Sequence, residues 1–355
     1  MTLSNVKTDS EPAQESSRPK PAEQRSGPWS ALLGSSALRS TTFYVACAVI
    51  ALALIFALLT SGNFLSTPNL QSIGRNSAGL MLLAVGLAFV LGAGHIDLSV
   101  GSTLVLASVV SAKVTVALSG SGGAGWAITI GAICGVLTGA GMGLLNGVLV
   151  TRLRINSFVV TLGTMGVGIG LAQVITNGSN VIGLPTVIQR NFGVANWFSI
   201  PLPLLLALVV SLIGAGVLTQ TAFGRHTLAT GSSETGSRRA GVKVDRTTIG
   251  VFLMAGTAAG LAGFLDITRF GTTAISGHET TMLQALSAVI IGGTSLFGGR
   301  ASVLGAMIAT FISTVLLAGF VMIGVSSFYQ RIAIGVVLII AVWVDRVRQA
   351  RANTT

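Results

Sequence analysis

Charged residues are scarce in this chain. Only 9% of its 355 residues are Asp, Glu, Lys or Arg, whereas 51% are hydrophobic, and the mean hydropathy is +0.81. A soluble domain averages about a quarter charged residues. The composition therefore excludes an ordinary soluble protein and predicts an all-α integral membrane protein.

The residue types that carry enzyme chemistry are also few. Two cysteines, Cys47 and Cys134, lie in apolar runs and are too few for a disulfide framework. Three histidines are scattered along the chain, and the His278-Glu279 pair lacks the second histidine of a zinc-protease motif. The sequence has neither a phosphate-binding Gly-x-x-x-x-Gly-Lys-Ser/Thr loop nor a Gly-x-Ser-x-Gly nucleophile elbow. These absences predict that the chain is no enzyme by itself and holds no metal or cofactor.

Much of the charge that is present lies in the N-terminal segment. Residues 1–41 are rich in Ser, Pro, Glu, Lys and Arg without apolar periodicity, which predicts a disordered cytoplasmic tail. Residues 346–355 predict a second cytoplasmic tail. The net charge of +11 could indicate nucleic-acid binding, but no long polar region offers a basic face. Membrane topology explains this charge better.

Residues 42–345 are expected to form the transmembrane domain. A helix needs about 20 apolar residues to cross ~30 Å of hydrocarbon. The second, third and eighth predicted spans have glycine-rich, polar ends, which favours broken or re-entrant segments. The requirement for about 20 apolar residues predicts about ten spans in all, near 42–61, 76–94, 99–118, 126–150, 157–176, 201–220, 247–265, 283–299, 302–322 and 328–344.

The distribution of Lys and Arg predicts the orientation. With the N-terminal tail inside, ten spans place 16 of the 21 basic residues on the cytoplasmic side. Cytoplasmic loops carry an excess of Lys and Arg, so both termini are expected in the cytoplasm. The five basic residues left outside are Arg75, Lys113, Arg190, Arg269 and Arg331.

The fourth predicted span carries glycine at every fourth position. Each step of four residues advances about 40° around a helix, so these glycines form a sloping groove without side chains. Small residues allow close helix packing in lipid. We therefore expect a central packing helix. The series is Gly131, Gly135, Gly139, Gly143 and Gly147.

Two stretches interrupt apolar segments with glycine and polar residues. The first break is GAGHIDLSVGS at 92–102, and the second break is GGTSLFGGR at 292–300. A pair of such breaks points to a translocation path, because non-helical backbone is tolerated in a membrane only against protein or a water-filled cavity. Asp97 has two readings that the sequence leaves open: a functional intramembrane carboxylate, or a cap of a helix beginning at Leu98.

The stretch at 223–246 is a polar segment between two spans. It holds five basic and two acidic residues, whereas 191–224 and 247–265 carry no charge at all. Ser232 or Ser233 could cap a short helix over 234–240, with an acid in its first turn and arginines near its end, as the helix dipole favours. Gly241 offers a C-terminal stop. An ordinary solvated loop is the simpler alternative.

Four motifs together resemble the ribose-type permeases of bacterial ATP-binding cassette (ABC) importers, in the branched-chain amino acid/ribose transport permease superfamily. They are GHIDLSVGS at 94–102, INSFVVTLGTM at 155–165, FGRHTLATGSSETGSRRAGV at 223–242 and AVIIGGTSLFGGR at 288–300.

The resemblance implies a permease in the bacterial inner membrane that imports a small polar solute, a monosaccharide or related polyol. It implies three protein partners: an ATP-binding subunit that hydrolyses ATP, a solute-binding protein, and a second permease subunit in a homodimer or heterodimer. The loop at 221–246 is similar to the family's coupling loop. The matching residues expected to contact the ATPase are Gly224, Arg225, Glu234, Arg238 and Gly241.

The resemblance also has a departure. Where the family usually reads Glu-Leu-Asp-Ala-Ile-Ala, this chain reads Met-Leu-Gln-Ala-Leu-Ser at 282–287. Two acids are lost on the expected outer side, which bears on the solute rather than on the transport class. Asp266 and Arg269, three residues apart on the same side, could pair.

Hydroxyl-rich solutes need hydrogen-bonding partners, because an unpaired buried polar group is costly. We expect Asp97, Ser99, Asn156 and Thr161 to line or shape the path. Three alternatives stay open: a branched-chain amino acid ABC permease, a stand-alone secondary carrier, and a structural membrane scaffold. A secondary carrier would need intramembrane acids, and Asp97 is nearly the only one.

Overall fold

Long apolar helices make up most of the structure. A computed structural model describes residues 41–120, 123–276 and 278–326, with positions 328, 329, 332, 335, 336 and 339. Within these residues, eight helices are long and apolar enough to cross a membrane. The protein is therefore an all-α membrane protein, as its composition predicts.

The eight long helices are α1 Thr41–Leu59, α2 Thr67–Gly92, α3 Val100–Leu118, α4 Ala124–Arg152, α5 Ser157–Thr176, α7 Leu202–Gln220, α10 Val244–Phe270 and α12 Val303–Met322. The shorter helices are α6 Thr186–Ile188, α8 Ala222–Ser232, α9 Glu234–Arg239 and α11 His278–Ile291. A 3₁₀ turn covers Asn63–Leu65, and a π turn covers Gln189–Gly193. Strands β1 Asn196–Trp197 and β2 Ile200–Pro201 pair antiparallel, with Asn196 opposite Pro201.

Most predicted spans overlap a long helix, with two differences. Helix α2 begins at Thr67 with Pro68 in its first turn, well before the predicted start at 76. The predicted eighth span at 283–299 is a shorter helix that ends where the predicted second break begins. Helix α11 covers 14 residues, about 21 Å, and the chain leaves the helix at Gly292. The tails at 1–40 and 346–355 and most of the tenth predicted span lie outside the described residues.

The glycine series of α4 forms the seam that the sequence predicts. A Cβ atom built on Gly135 would lie 2.9 Å from Cβ of Ser111 in α3, and one on Gly139 would lie 2.6 Å from Cα of Gly260 in α10. Gly143 and Gly147 face the backbone of α10 in the same way. Side chains are absent on this seam because the helix backbones touch across it.

Helices α2, α3 and α10 are the most buried spans, and their apolar side chains form the main core. Helices α8 and α9 lie at one end of the bundle, together with the end of α2 and the loop between α11 and α12. We call this end the coupling end and the opposite end the far end. Thr41 lies against Gly293, so α1 also begins at the coupling end.

Candidate functional site

The two glycine-rich breaks contact each other at the coupling end. The amide of Gly299 in the second break donates to the carbonyl oxygen of Gly92, at 3.0 Å. A Cβ on Gly298 would lie 2.8 Å from Cα of Gly94. Both Gly94 and Gly298 have positive φ, at 79° and 87°, where residues with a Cβ are strained. Glycine is thus required for this backbone contact between segments some 200 residues apart in the chain.

The end of α8 fits against both breaks. A Cβ on Gly231 would lie 2.6 Å from the amide nitrogen of Gly299 and 3.0 Å from the carbonyl carbon of Ala93. It would also contact the carbonyl oxygen of Gly92. The segment that resembles the coupling loop therefore touches the backbone of both breaks directly.

Side chains of α5 satisfy the backbone of the first break. The hydroxyl of Ser157 accepts a hydrogen bond from the amide of Ile96 (3.1 Å). The hydroxyl of Thr161 accepts one from the amide of Leu98 (3.1 Å) and donates to the carbonyl of Ser157 (2.8 Å). These bonds help to explain how an unwound segment is tolerated between two helices, since the freed amides of Ile96 and Leu98 have partners.

A buried chain of polar side chains continues from the first break into α4 and α5. Oδ1 of Asp97 accepts from the hydroxyl of Ser99 (2.6 Å), which in turn accepts from Nδ2 of Asn146 (2.7 Å). Oδ1 of Asn146 accepts from the hydroxyl of Thr164 (2.7 Å). Asp97 is 3% exposed, and Ser99 and Asn146 are each 1% exposed. The network connects the first break with two helices, α4 and α5, through four side chains.

Sequence reasoning did not single out Asn146, Ser157 or Thr164. For Asn146 a signal was present, because an amide between Gly143 and Gly147 is a polar side chain on the packing seam of an apolar span. For Ser157 and Thr164 the signal was weak, since hydroxyls are frequent in membrane helices and bond their own backbone.

The four residues expected to line the path have two different environments. Asp97, Ser99 and Thr161 are buried and hydrogen-bonded within the structure described. The helix after Asp97 begins at Val100, not at Leu98, and Asp97 holds the preceding turn by accepting from the amide of Ser99 at 2.8 Å. Asn156 instead is exposed and caps α5 by accepting from the amide of Phe158 (2.8 Å).

Asn156 lines a large polar cavity at the coupling end. This coupling-end cavity has a volume of about 640 Å³ and lies between the first break, the α4–α5 connection and the start of α10. His95 contributes to its wall and lies 3.2 Å from the hydroxyl of Thr248. Other polar residues of the wall are Arg154, Glu234, Arg238 and Asp245.

The predicted short helix is present as α9. Ser233 caps it by accepting from the amide of Gly236 (3.1 Å), and Gly241 follows it with φ at 83°. The rest of the segment differs from a loop, because α8 fills Ala222–Ser232 and α10 already begins at Val244. The stretch at 221–246 is thus two short helices, which we call the coupling segment.

Ion pairs fix the surface of α9. Arg238 donates to Oε1 of Glu234 (3.0 Å), one turn earlier, and to Oδ1 of Asp245 in α10. Hydrogen bonds to Asp245 and Glu234 raise the pKa of the Arg238 guanidinium above its ordinary value. All three side chains are at least half exposed, so each pair adds little to stability. Their charges are available to a partner.

The other two coupling residues have different roles. Gly224 is buried at the start of α8, where a Cβ would lie 2.5 Å from the carbonyl carbon of Leu218, so it permits the sharp turn out of α7. Arg225 next to it is exposed.

A smaller cavity lies toward the far end. This far-end cavity has a volume of about 190 Å³, and its polar lining comes from α2, α10 and α11. The expected pair of Asp266 with Arg269 is not formed. Oδ2 of Asp266 lies 3.2 Å from Nε2 of His278, and Arg269 donates to Oδ1 of Asn76 (2.6 Å). The main polar residues of the lining are Arg75, Asn76, Asp266, Arg269, His278 and Gln284.

Comparison with known proteins gives a consistent result. Residues 69–342 match the family described as "Branched-chain amino acid transport system / permease component". The ribose import permease protein RbsC of Bacillus subtilis (strain 168) is 35% identical over 297 residues, which cover 83% of this chain and 90% of that protein. The D-allose transport system permease protein AlsC of Escherichia coli (strain K12) is 33% identical over 308 residues, covering 86% and 90%.

A third relative is the xylose transport system permease protein XylH of Escherichia coli (strain K12). It is 31% identical over 379 aligned positions, which cover 90% of this chain and 95% of that protein. No solved structure matches the chain.

Proposed function

Because the chain belongs to the branched-chain amino acid transport system / permease component family, we propose that it is the permease subunit of an ABC importer in a bacterial inner membrane. Its solute is a monosaccharide or related polyol. The observation that supports this proposal is the length of chain over which the sequence resembles known permeases. The family match spans 69–342, which includes both breaks and the coupling segment, and relatives named for ribose, xylose and allose transport resemble most of the chain.

The coupling end faces the cytoplasm in this proposal. Of the twelve Lys and Arg among the described residues, only Arg75, Lys113, Arg190 and Arg269 lie away from this end. The positive-inside rule favours the side with the larger number. Since α1 also begins at this end, the N-terminal tail lies in the cytoplasm. A span over 328–344 would return the C-terminus to the same side. The eight at or beside the coupling end are Arg152, Arg154, Arg225, Arg238, Arg239, Lys243, Arg246 and Arg300.

The energy for transport comes from a separate ATP-binding subunit, since the sequence has no phosphate-binding loop. The exposed charges of α9 form its docking surface. Movement of the docked helices reaches the first and second breaks through Gly231, whose neighbours on both sides are backbone atoms. Packed backbone transmits a displacement with little loss, because no flexible side chain lies between the moving parts.

Two further partners complete the importer. A solute-binding protein delivers the sugar at the far end, where the far-end cavity opens beside Asn76. A second permease subunit pairs with this chain, either as another copy or as a different permease. The polar network from Asp97 to Thr164 shapes the path, and the coupling-end cavity is its exit.

Uptake into proteoliposomes tests the proposal. The chain is reconstituted with the ATP-binding subunit and binding protein encoded beside it, and radiolabelled D-ribose, D-xylose and D-allose are supplied outside. We expect uptake of at least one sugar that requires ATP and both partners. Uptake of L-leucine instead would replace the sugar assignment by an amino acid permease. Uptake by the chain alone, abolished by an uncoupler, would establish a secondary carrier.

A further inference from the structure

The far-end cavity combines groups that a buried site rarely leaves without partners. Among the described residues, Nε of Arg75, Oδ2 of Asp266 and Nδ1 of His278 are buried and accept or donate no hydrogen bond. Oδ2 of Asp266 lies 3.2 Å from Nε2 of His278, but without the geometry of a hydrogen bond. The three residues come from α2, α10 and α11, so three separate helices bring them to one cavity.

Both guanidinium groups of the cavity already donate to the protein through a terminal nitrogen. The terminal nitrogen of Arg75 donates to the carbonyl oxygen of Val194 and to Oδ1 of Asn196, both at 2.9 Å. Arg269 donates to Asn76 and lies 4.7 Å over the ring of Phe270. Because Nη2 of Arg75 already has the acceptors on Val194 and Asn196, this guanidinium does not offer its two terminal nitrogens together to a carboxylate or phosphate.

Three groups of the cavity have no hydrogen bond within the described part of the chain: the Nε–H of Arg75, one carboxylate oxygen of Asp266 and one imidazole nitrogen of His278. The amide of Gln284 lines the same cavity. A hydroxyl group both donates and accepts hydrogen bonds. A small solute with several hydroxyls can therefore bond to separate donors and acceptors of this kind. Buried polar atoms without a hydrogen bond cost free energy, which favours any state in which these atoms gain hydrogen-bond partners.

We propose that the far-end cavity is a binding site for a neutral monosaccharide on its way through the protein, held by Arg75, Asp266 and His278. This inference rests on the proposed function. In the conformation described, the three atoms are covered, so the sugar reaches them when α2, α10 and α11 separate. Alternating access provides that separation: the far-end cavity fills in the outward-open state and closes behind the sugar.

His278 also connects this site with the interior. It lines a third cavity of about 300 Å³ between α3, α5 and α11, together with Leu98, Ser102 and Gln173. The third cavity therefore extends from the far-end site toward the first break. A sugar released from Asp266 and His278 has a space to enter next.

Protection of an introduced cysteine from labelling tests the site. Cys47 and Cys134 are replaced by Ala, and Thr281→Cys then places a single thiol in the wall of the far-end cavity. The reconstituted importer, with its ATP-binding subunit and binding protein, is treated with a small membrane-impermeant methanethiosulfonate. At a sugar concentration ten times the half-saturating value, we expect labelling to slow roughly tenfold, because about a tenth of the sites stay free.

Two variants make the test specific. Arg190→Cys serves as the matched control, since it is exposed and does not line the cavity. Its labelling is expected to be the same with and without sugar, whereas equal protection at both positions would assign the effect to shielding by the binding protein and overturn the site. Asp266→Asn or His278→Gln is expected to abolish the protection of Thr281→Cys. If Thr281→Cys fails to assemble, Gln284→Cys provides a second thiol in the same wall.

The same proteoliposomes distinguish failure of the binding site from failure of the proposed function. Sugar uptake without protection at Thr281→Cys or Gln284→Cys would overturn the binding site and leave the proposed function standing. Uptake and protection by L-leucine, with no response to D-ribose, D-xylose or D-allose, would overturn the proposed function itself.

Discussion

The amide of Gly299 donates a hydrogen bond to the carbonyl oxygen of Gly92 over 3.0 Å, which ties the second break to the end of α2. Gly231 at the end of α8 contacts both residues. A permease of this kind must change its shape when its ATP-binding subunit moves. The three-way backbone contact offers a direct route for that change, since it connects the coupling segment, our proposed docking surface, to both breaks.

Replacement of Gly231 by Ala should disrupt this contact. The added methyl would lie 2.6 Å from the amide nitrogen of Gly299, and backbone atoms cannot turn aside as a side chain does. We expect ATP-driven uptake to fall at least tenfold, which corresponds to about 1.4 kcal/mol in the barrier. Gly216→Ala in α7 is the control, because its Cβ would meet nothing within 4 Å. Normal uptake by Gly231→Ala would remove the contact from the coupling mechanism.

Charge reversal at Arg238 should weaken the ATP-binding subunit's hold. Arg238→Glu places three acidic side chains together, with Glu234 and Asp245, on the exposed face of α9. The fold should tolerate the change, since exposed ion pairs contribute little to stability. We expect the ATP-binding subunit to be lost during co-purification, and Arg190→Glu at the far end to retain it. Equal retention by both variants would place the docking surface elsewhere.

The helices were largely predictable from the sequence, because apolar runs of about 20 residues leave few alternatives to a membrane helix. The start of α2 was missed since Asn69, Gln71 and Arg75 interrupt the apolar run, yet they lie at the far end, where polar side chains find partners. The predicted eighth span ran past the end of α11, although the predicted second break begins at Gly292, where the backbone turns to pass against Gly305.

The candidate site was less predictable than the helices. Local signals predicted α9, a cap by Ser232 or Ser233 and the turn at Gly241, all of which depend on residues within one stretch of the chain; the cap is Ser233. The hydrogen-bond partners of the first break could not be predicted from local signals. Ser157 and Asn146 meet it through tertiary packing across 47 to 61 residues of sequence, and no periodicity encodes that pairing.

Asp97→Asn separates the charge of this residue from its structural role. Asp97 accepts two hydrogen bonds from Ser99 through Oδ1, and an asparagine of the same shape can accept both through its own Oδ1. We therefore expect normal assembly in the membrane. If the carboxylate shapes the sugar's path, uptake should fall about tenfold, the effect of roughly one charged hydrogen bond. Unchanged uptake with unchanged assembly would leave Asp97 a purely structural residue that holds the turn before α3.

The seam between α4 and α10 should be sensitive to a single methyl group. A Cβ on Gly139 would lie 2.6 Å from Cα of Gly260 and would also contact the carbonyl oxygen of Gly256, so glycine on one side cannot compensate for a larger residue on the other. We expect Gly139→Ala to lower the free energy of unfolding in detergent by about 1–3 kcal/mol through overpacking.

Gly141→Ala is the matched control for this seam, two residues along the same helix. Its Cβ would meet nothing within 4 Å, so the only expected effect is the higher helix propensity of alanine, worth up to about 1 kcal/mol of added stability. Thermal unfolding of the two variants should therefore shift in opposite directions. A parallel shift would mean that α4 and α10 separate easily at this point, and the seam would then be a sliding surface of the transport cycle rather than a fixed one.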